Sequence, residues 1–196
     1  MRIGVLGGTF DPPHQGHLDV AEAAIRALDL DEVMLLPASR NPLKRFGPSA
    51  SAAHRLKMVK LLASGHEKLS VCDLEVQKGG TSYAVDTLNA LTATRPAEYW
   101  FLIGSDVLPE ILQWKSPHKL LRMCRLGVIA RGSKPVLDLL ARLPEEVRTH
   151  VDLVPMVPVD LSSTELRSRL AARKPVIDGI PNSVLHYIAE NGLYRR

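Results

Sequence analysis

Four residues, Ile3-Gly4-Val5-Leu6, run directly into Gly7-Gly8-Thr9-Phe10-Asp11-Pro12-Pro13-His14-Gln15-Gly16-His17, and an amphipathic stretch from Leu18 to Leu30 follows. That order predicts a buried strand, a glycine-rich turn and a helix whose Leu18, Ala21, Ile25 and Leu28 face the core. A second apolar run, Val33-Met34-Leu35-Leu36, ends at Pro37. With a helix between them, the two strands are expected to be parallel neighbours joined by a right-handed crossover.

The alternation continues along the chain. Ala52 to Ala63 predicts a helix with Leu56, Val59 and Leu62 on one side, Leu69 to Cys72 a strand, and Glu75 to Gly80 a polar loop. Ser82 is expected to cap a helix from Tyr83 to about Thr94. Tyr99 to Ile103 reads as a strand ending in Gly104-Ser105-Asp106, and Val107 to Trp114 as a short helix. Ser116-Pro117 starts another helix with Ser at N-cap and Pro at N1. Leu126 to Ala130 and Val151 to Val154 read as strands, with Val136 to Leu143 helical between them. Ser162-Ser163-Thr164-Glu165 fits a capping box opening a helix through Leu170. Pro181 to Asn191 is a final helix closed by Gly192. Ala38 to Ser51, with Arg40, Lys44 and Arg45 beside Pro42, Gly47 and Pro48, is a long basic loop of the kind used for ligand contact. Arg131-Gly132-Ser133-Lys134-Pro135 is a second loop. The expected fold class is α/β, a doubly wound parallel sheet covered on both faces. One domain over residues 1–196 is expected, with about 160–196 as a small C-terminal helical cap.

Composition narrows the partners. A net charge of +4 suits an anionic small molecule and falls short of what nucleic acid would require. No run approaches the ~18 apolar residues of a membrane span, and no secretory segment precedes the first strand, so a soluble cytoplasmic protein is expected. Cys72 and Cys124 lie far apart, each in an apolar stretch, and read as buried thiols in a reducing compartment. His66 and His150 read as ordinary surface residues.

The glycine-rich turn fits neither the G-x-G-x-x-G fingerprint nor a P-loop. From the residues alone, tight packing and phosphate binding both stay open for it. A protein-bound metal is not expected, because His14 and His17 have no further cysteine or histidine at ligand spacing. Two imidazoles at a helix N-terminus, each able to donate a hydrogen bond, suit an anionic phosphate chain.

Gly7 to His17 resembles the G-G-T/S-F-D-P-x-H-x-G-H signature of the nucleotidyltransferase superfamily, and Ser162-Ser163-Thr164-Glu165-Leu166-Arg167 resembles its second signature, I-S-S-T-x-I-R. Gly80-Thr81-Ser82-Tyr83-Ala84-Val85-Asp86-Thr87-Leu88 is similar to the G-x-S-Y-T-x-D-T-L segment of bacterial nicotinate-nucleotide adenylyltransferases. Phe101 to Asp106 resembles their F-I-I-G-x-D strand end, Trp114 follows at the family's distance, and Ile180 through Tyr194 resembles their ending. Two positions depart from the pattern. Ala84 stands for the family's Thr, and Lys115 for the aromatic that commonly follows its Trp.

The resemblance implies a Rossmann-like nucleotidyltransferase fold. It implies a reaction of ATP with nicotinate mononucleotide that gives deamido-NAD and pyrophosphate. His14, His17 and Arg167 are then the expected catalytic residues, His17 foremost. Gly7, Gly8 and Thr9 let the backbone approach ATP, Phe10 packs beneath, Gly104 and Asp106 face the ribose, and Ser163, Thr164 and Arg167 hold the triphosphate. Lys44, Thr81, Ser82, Tyr83, Trp114 and Arg131 are the expected acceptor-binding set, with Trp114 the platform for the nicotinate ring. Mg²⁺ is expected to arrive on the ATP phosphates, with no dedicated protein site. Without the resemblance, Trp114 reads as core, Ser162 and Ser163 as plain helix caps, and Arg55 and Arg131 as solvated. Alternatives are transfer to nicotinamide mononucleotide or pantetheine phosphate, and an ATP-binding sensor without turnover. A homo-oligomer is left open.

Overall fold

A computed structural model describes residues 1–42, 47–129, 136–157, 161–176 and 179–195. In chain order its elements are β1 (Arg2–Gly8), α1 (Gln15–Leu28), β2 (Glu32–Pro37), α2 (Ala52–Ala63), β3 (Leu69–Val71), α3 (Leu74–Lys78), α4 (Ala84–Thr94) and β4 (Glu98–Gly104). A 3-10 helix (Leu108–Gln113), α5 (Pro117–Met123), β5 (Arg125–Ile129), α6 (Val136–Ala141), α7 (Glu145–Arg148), β6 (Val151–Val154), α8 (Ser163–Ala171) and α9 (Asn182–Glu190) follow. The strand order is β3-β2-β1-β4-β5-β6. β1 with β4, β4 with β5, and β5 with β6 pair in parallel. The chain therefore winds outward from β1, returns, and winds outward on the other side, which is the doubly wound α/β arrangement.

The chain divides into two compact units. The first comprises Met1–Gly7, Val20–Met34 and Tyr83–Pro158. Its strand interior is apolar, with Ile3, Val5, Val33, Leu126 and Val128 fully buried. Gly127 is required by close packing, since a Cβ there would lie 2.5 Å from Leu102 Cδ2 and 3.1 Å from Leu28 Cδ1. Across β4 to β6, the Trp100 indole N–H donates to Asp152 at 2.8 Å and Arg125 pairs with the same carboxylate through both Nε and Nη2. Those bonds, Arg125 first, hold the Asp152 carboxyl below the usual aspartate range.

The second unit comprises Gly8–Asp19, Leu35–Ser82 and Val159–Arg196. Here α2 packs against β3 and α9, and His54 Nδ1 lies 2.9 Å from the Tyr187 hydroxyl. Ser51 caps α2 by accepting the His54 N–H at 3.3 Å.

Several expectations are corrected. The stretch expected as a polar loop from Glu75 to Gly80 holds α3, where Glu75 is buried and its carbonyl accepts the Gly79 N–H at 3.0 Å. Ser82 does not cap α4; its hydroxyl accepts the Ser39 N–H at 3.0 Å, and Tyr83 occupies the cap position without a side-chain bond. Ser116 does sit before Pro117, but at φ 49° and without a side-chain cap. Ser162 caps α8 through the Glu165 N–H at 3.2 Å, whereas the Glu165 carboxylate turns to Arg169 and leaves the box half made. Cys72 is half-exposed at the end of β3, while Cys124 is buried; both are free thiols. α7 was not anticipated. Among the described residues no helix is long and apolar enough to cross a membrane.

Candidate active site

The turn after β1 is built around its aromatic rings. Phe10 adopts φ 50°, is 1% exposed, and places its ring 4.7 Å from that of His17. His14 takes the N-cap place of α1, its carbonyl accepting the His17 N–H at 2.9 Å. In return the His14 N–H donates to His17 Nδ1 at 3.1 Å, and the two rings lie 3.9 Å apart. An imidazole thus does what Glu or Gln does in a capping box. Because Nδ1 accepts, the neutral ring carries its proton on Nε2, which is a donor without any added charge. Gly16 packs closely here, since a Cβ would lie 3.2 Å from the His14 ring, which would have to shift slightly. Thr9 is 9% exposed, and its buried hydroxyl has no partner among the described residues. A buried polar atom left unsatisfied at such a turn is a place for a ligand atom.

The start of α8 is tied to the same turn. The Ser163 hydroxyl donates to the Pro12 carbonyl at 2.9 Å, Arg167 Nη1 to the Asp11 carbonyl at 2.6 Å, and Arg167 Nη2 to Thr164 Oγ1 at 3.3 Å. Gly8, Thr9, Phe10, His14, His17, Ser163, Thr164 and Arg167 are therefore gathered within the second unit. Thr81 and Ser82 belong to that unit as well, Thr81 bridging Arg40 and the Ser82 N–H donating to the Arg40 carbonyl at 2.9 Å.

Three further residues hold this cluster. Asp11, joined to Pro12 by a cis peptide, accepts the N–H groups of Ser49 at 2.7 Å and Ala50 at 3.0 Å and the hydroxyl of Tyr194 at 2.8 Å. Arg55, for which a solvated place was the plain alternative, is fully buried. Its Nη1 donates to the carbonyls of Thr9 and Ala38 at 2.7 Å each, Nη2 to Ser39 at 3.1 Å, and Nε to Ala50 at 3.3 Å. Carbonyls of loops that end together need donors, and one guanidinium supplies several. Burial lowers the Arg55 pKa, with Asp11 opposing that shift. Asp11 stands inside the quoted signature and Tyr194 inside the quoted ending, so both could have been noticed. No local pattern marks Arg55, whose partner Thr9 lies 46 positions away.

The remaining described site residues belong to the first unit. Trp114 follows the 3-10 helix, is half-buried, and meets Phe101 edge-on at 5.9 Å. Its buried indole N–H has no partner among the described residues. Lys115 Nζ pairs with both Asp86 carboxylate oxygens, at 3.0 and 2.8 Å, and lies 4.7 Å over the Tyr83 ring. Gly104 ends β4 opposite Ile129, and Asp106 is exposed just beyond it. A Cβ on Gly7 would lie 3.2 Å from Phe101 Cζ. Lys44 and Arg131 lie outside the described residues. Among the described residues no cluster of His, Cys, Asp and Glu could hold a metal ion.

Residues 5–169 match the family described as cytidylyltransferase-like. The chain is 40% identical over 197 residues to a probable nicotinate-nucleotide adenylyltransferase of Gemmatimonas aurantiaca, covering 100% of this chain and 93% of that one. It is 42% identical over 214 residues to a protein of the same description from Chromobacterium violaceum, covering 99% of each. The chain belongs to the nicotinate-nucleotide adenylyltransferase family. The fold agrees with a solved adenylyltransferase, the Plasmodium falciparum nicotinic acid mononucleotide adenylyltransferase complexed with NaAD. That match has a TM-score of 0.79 at 22% identity and covers 98% of this chain and 97% of the other. In this adenylyltransferase, the second signature and the first from Gly8 onward fall in the second unit, and side chains of the second are bonded to backbone carbonyls of the first.

Proposed function

We propose that this adenylyltransferase moves the adenylyl group of ATP onto the phosphate of nicotinate mononucleotide, with His14, His17 and Arg167 as the catalytic residues. The observation that carries these roles is the joining of Ser163 and Arg167 to the carbonyls of the turn that bears both histidines. The side-chain donors at the start of α8 are thereby held at the turn that bears both imidazoles, an arrangement suited to a polyphosphate.

The nucleophile is a phosphate oxygen of the mononucleotide, already ionised at neutral pH, so no general base is needed. It forms a bond to the α-phosphorus of ATP. The bond from that phosphorus to the bridging oxygen breaks, and pyrophosphate leaves with the electron pair. Deamido-NAD is the other product. Catalysis reduces to aligning two polyanions and neutralising charge on the leaving group. His17 donates Nε2–H to the phosphates, and removal of one such preorganised donor costs roughly 3 kcal/mol of barrier. Arg167 offers the fork of its guanidinium, and Ser163 and Thr164 add donors at the start of α8. Gly7, Gly8 and Thr9 admit the phosphates close to the backbone. Gly104 and Asp106 take the ribose. The exposed face of Trp114 supports the nicotinate ring, with Thr81, Ser82 and Tyr83, and by resemblance Lys44 and Arg131, on the acceptor. Mg²⁺ enters as part of the ATP substrate.

The test is pyrophosphate release from ATP with nicotinate mononucleotide, nicotinamide mononucleotide and pantetheine phosphate in turn. The highest kcat/KM is expected with nicotinate mononucleotide. A higher value with another acceptor would reassign the substrate, and ATP binding without release from any of them would overturn the enzymatic reading.

A further inference from the structure

Asp11 is 3% exposed and faces a guanidinium, yet carboxylate and guanidinium stay out of hydrogen-bonding contact. Arg167 Nη1 donates to the Asp11 carbonyl at 2.6 Å and remains 3.8 Å from Oδ2. The carboxylate is satisfied by neutral donors instead. Ser49 donates to Oδ2 at 2.7 Å, while Ala50 at 3.0 Å and the Tyr194 hydroxyl at 2.8 Å donate to Oδ1. Burial, reinforced by Asp11, holds the Tyr194 phenol well above the ordinary tyrosine range, so it remains a donor.

We infer that Tyr194 is a positioning residue for adenylyl transfer: by donating to Asp11 it keeps that carboxylate from capturing Arg167, and leaves the guanidinium to the phosphates. The inference rests on the proposed role of Arg167. A carboxylate offers about four lone-pair sites, and one that loses a donor in a nearly dry place recruits the nearest N–H. Ser49 and Ala50 donate from the backbone and are already engaged. Arg55 is committed to four carbonyls and is fully buried. Arg167, whose side chain is 26% exposed, has both the freedom and the charge to close the gap. A charge-assisted pair at hydrogen-bond distance is about twice as strong as a neutral one, so the move would be held once made. The guanidinium would then stand about 1 Å off its place, a displacement large enough to matter for a group that stabilises a transition state.

The test is a cycle of four proteins: the unaltered chain, Tyr194→Phe, Arg167→Ala and the double variant. Each is measured for kcat, for KM of both substrates, for ATP affinity by calorimetry and for Tm. Tyr194→Phe is expected to lower kcat about tenfold when Arg167 is present, with the mononucleotide KM within about twofold, and to add no loss when Arg167 is Ala. A loss of equal size in both backgrounds, or no loss with Arg167 present, would overturn the inference. A purely structural tyrosine would lower Tm in both backgrounds and spare the kcat of the folded fraction. Should Tyr194→Phe fold poorly, 3-fluorotyrosine at position 194 keeps the ring and strengthens the donor; kcat at or above that of the unaltered chain is expected, and a fall would count against the inference. Turnover of the unaltered chain reads the proposed function separately. If it released no pyrophosphate, that reading would fail, and the cycle would still be decided by ATP affinity, expected about fivefold weaker in Tyr194→Phe only where Arg167 is present.

Discussion

His17 closes the first turn of α1 on His14: its Nδ1 accepts the His14 N–H at 3.1 Å, and the two rings lie 3.9 Å apart. The ring therefore has a structural role through Nδ1, which can be separated from the role proposed for Nε2. His17→Ala is expected to lower kcat by at least about a hundredfold with modest loss of ATP binding. His17→Glu restores a capping box, since Glu at that place reaches back to the same N–H. It should keep Tm close to that of the unaltered chain while turnover falls at least as far as in His17→Ala. Near-normal turnover in either variant would remove His17 from the chemistry.

Trp114 meets Phe101 edge-on with one side of its indole and leaves its N–H without a partner among the described residues. Trp114→Phe should therefore cost little stability, because no hydrogen bond is lost. Trp114→Ala should raise the KM for the mononucleotide far more than that for ATP. Equal weakening of both substrates would return Trp114 to the core.

Arg55 holds four carbonyls from the fully buried interior of the second unit. Arg55→Met leaves those acceptors unpaired and should destabilise the protein by about 3–5 kcal/mol, read from urea unfolding. Arg55→Lys keeps the charge but lacks the planar fork, so it should recover less than half of that loss. A loss below about 1 kcal/mol for Arg55→Met would show that water replaces the guanidinium.

The alternation of apolar runs with amphipathic stretches was enough to read the fold: α2 at Ala52–Ala63 and β6 at Val151–Val154 lie on the expected residues. Periodicity needs length, and α3 at Leu74–Lys78 is only 5 residues, too short to separate from a loop. Ser82 failed for a different reason. A serine before a helix reads as its cap, but a tertiary donor, the Ser39 N–H, takes the hydroxyl instead. The two signature segments were legible as motifs because they resemble signatures of a known family. What organises them was not, since Arg55 and Tyr194 act across separations that no local pattern records.

The Arg125 bonds that hold the Asp152 carboxyl low give stability a pH dependence. A carboxyl with a lowered folded pKa contributes stability above its unfolded pKa and loses it as pH falls towards the folded value. Tm should therefore drop more steeply between about pH 5 and pH 3 in the unaltered chain than in Asp152→Asn. Both partners are partly exposed, so the difference should shrink in high salt. Parallel curves for the two proteins would show that the pair contributes nothing.

Because an imidazole closes the first turn of α1, the amide proton of His14 is bonded to the His17 ring. Exchange of that single proton with deuterated solvent follows the ring without any substitution in the protein. A ligand that held the ring on the His14 N–H would slow the exchange, and one that drew it off would speed it. The backbone at His14 thus carries a built-in reporter of where the His17 ring sits.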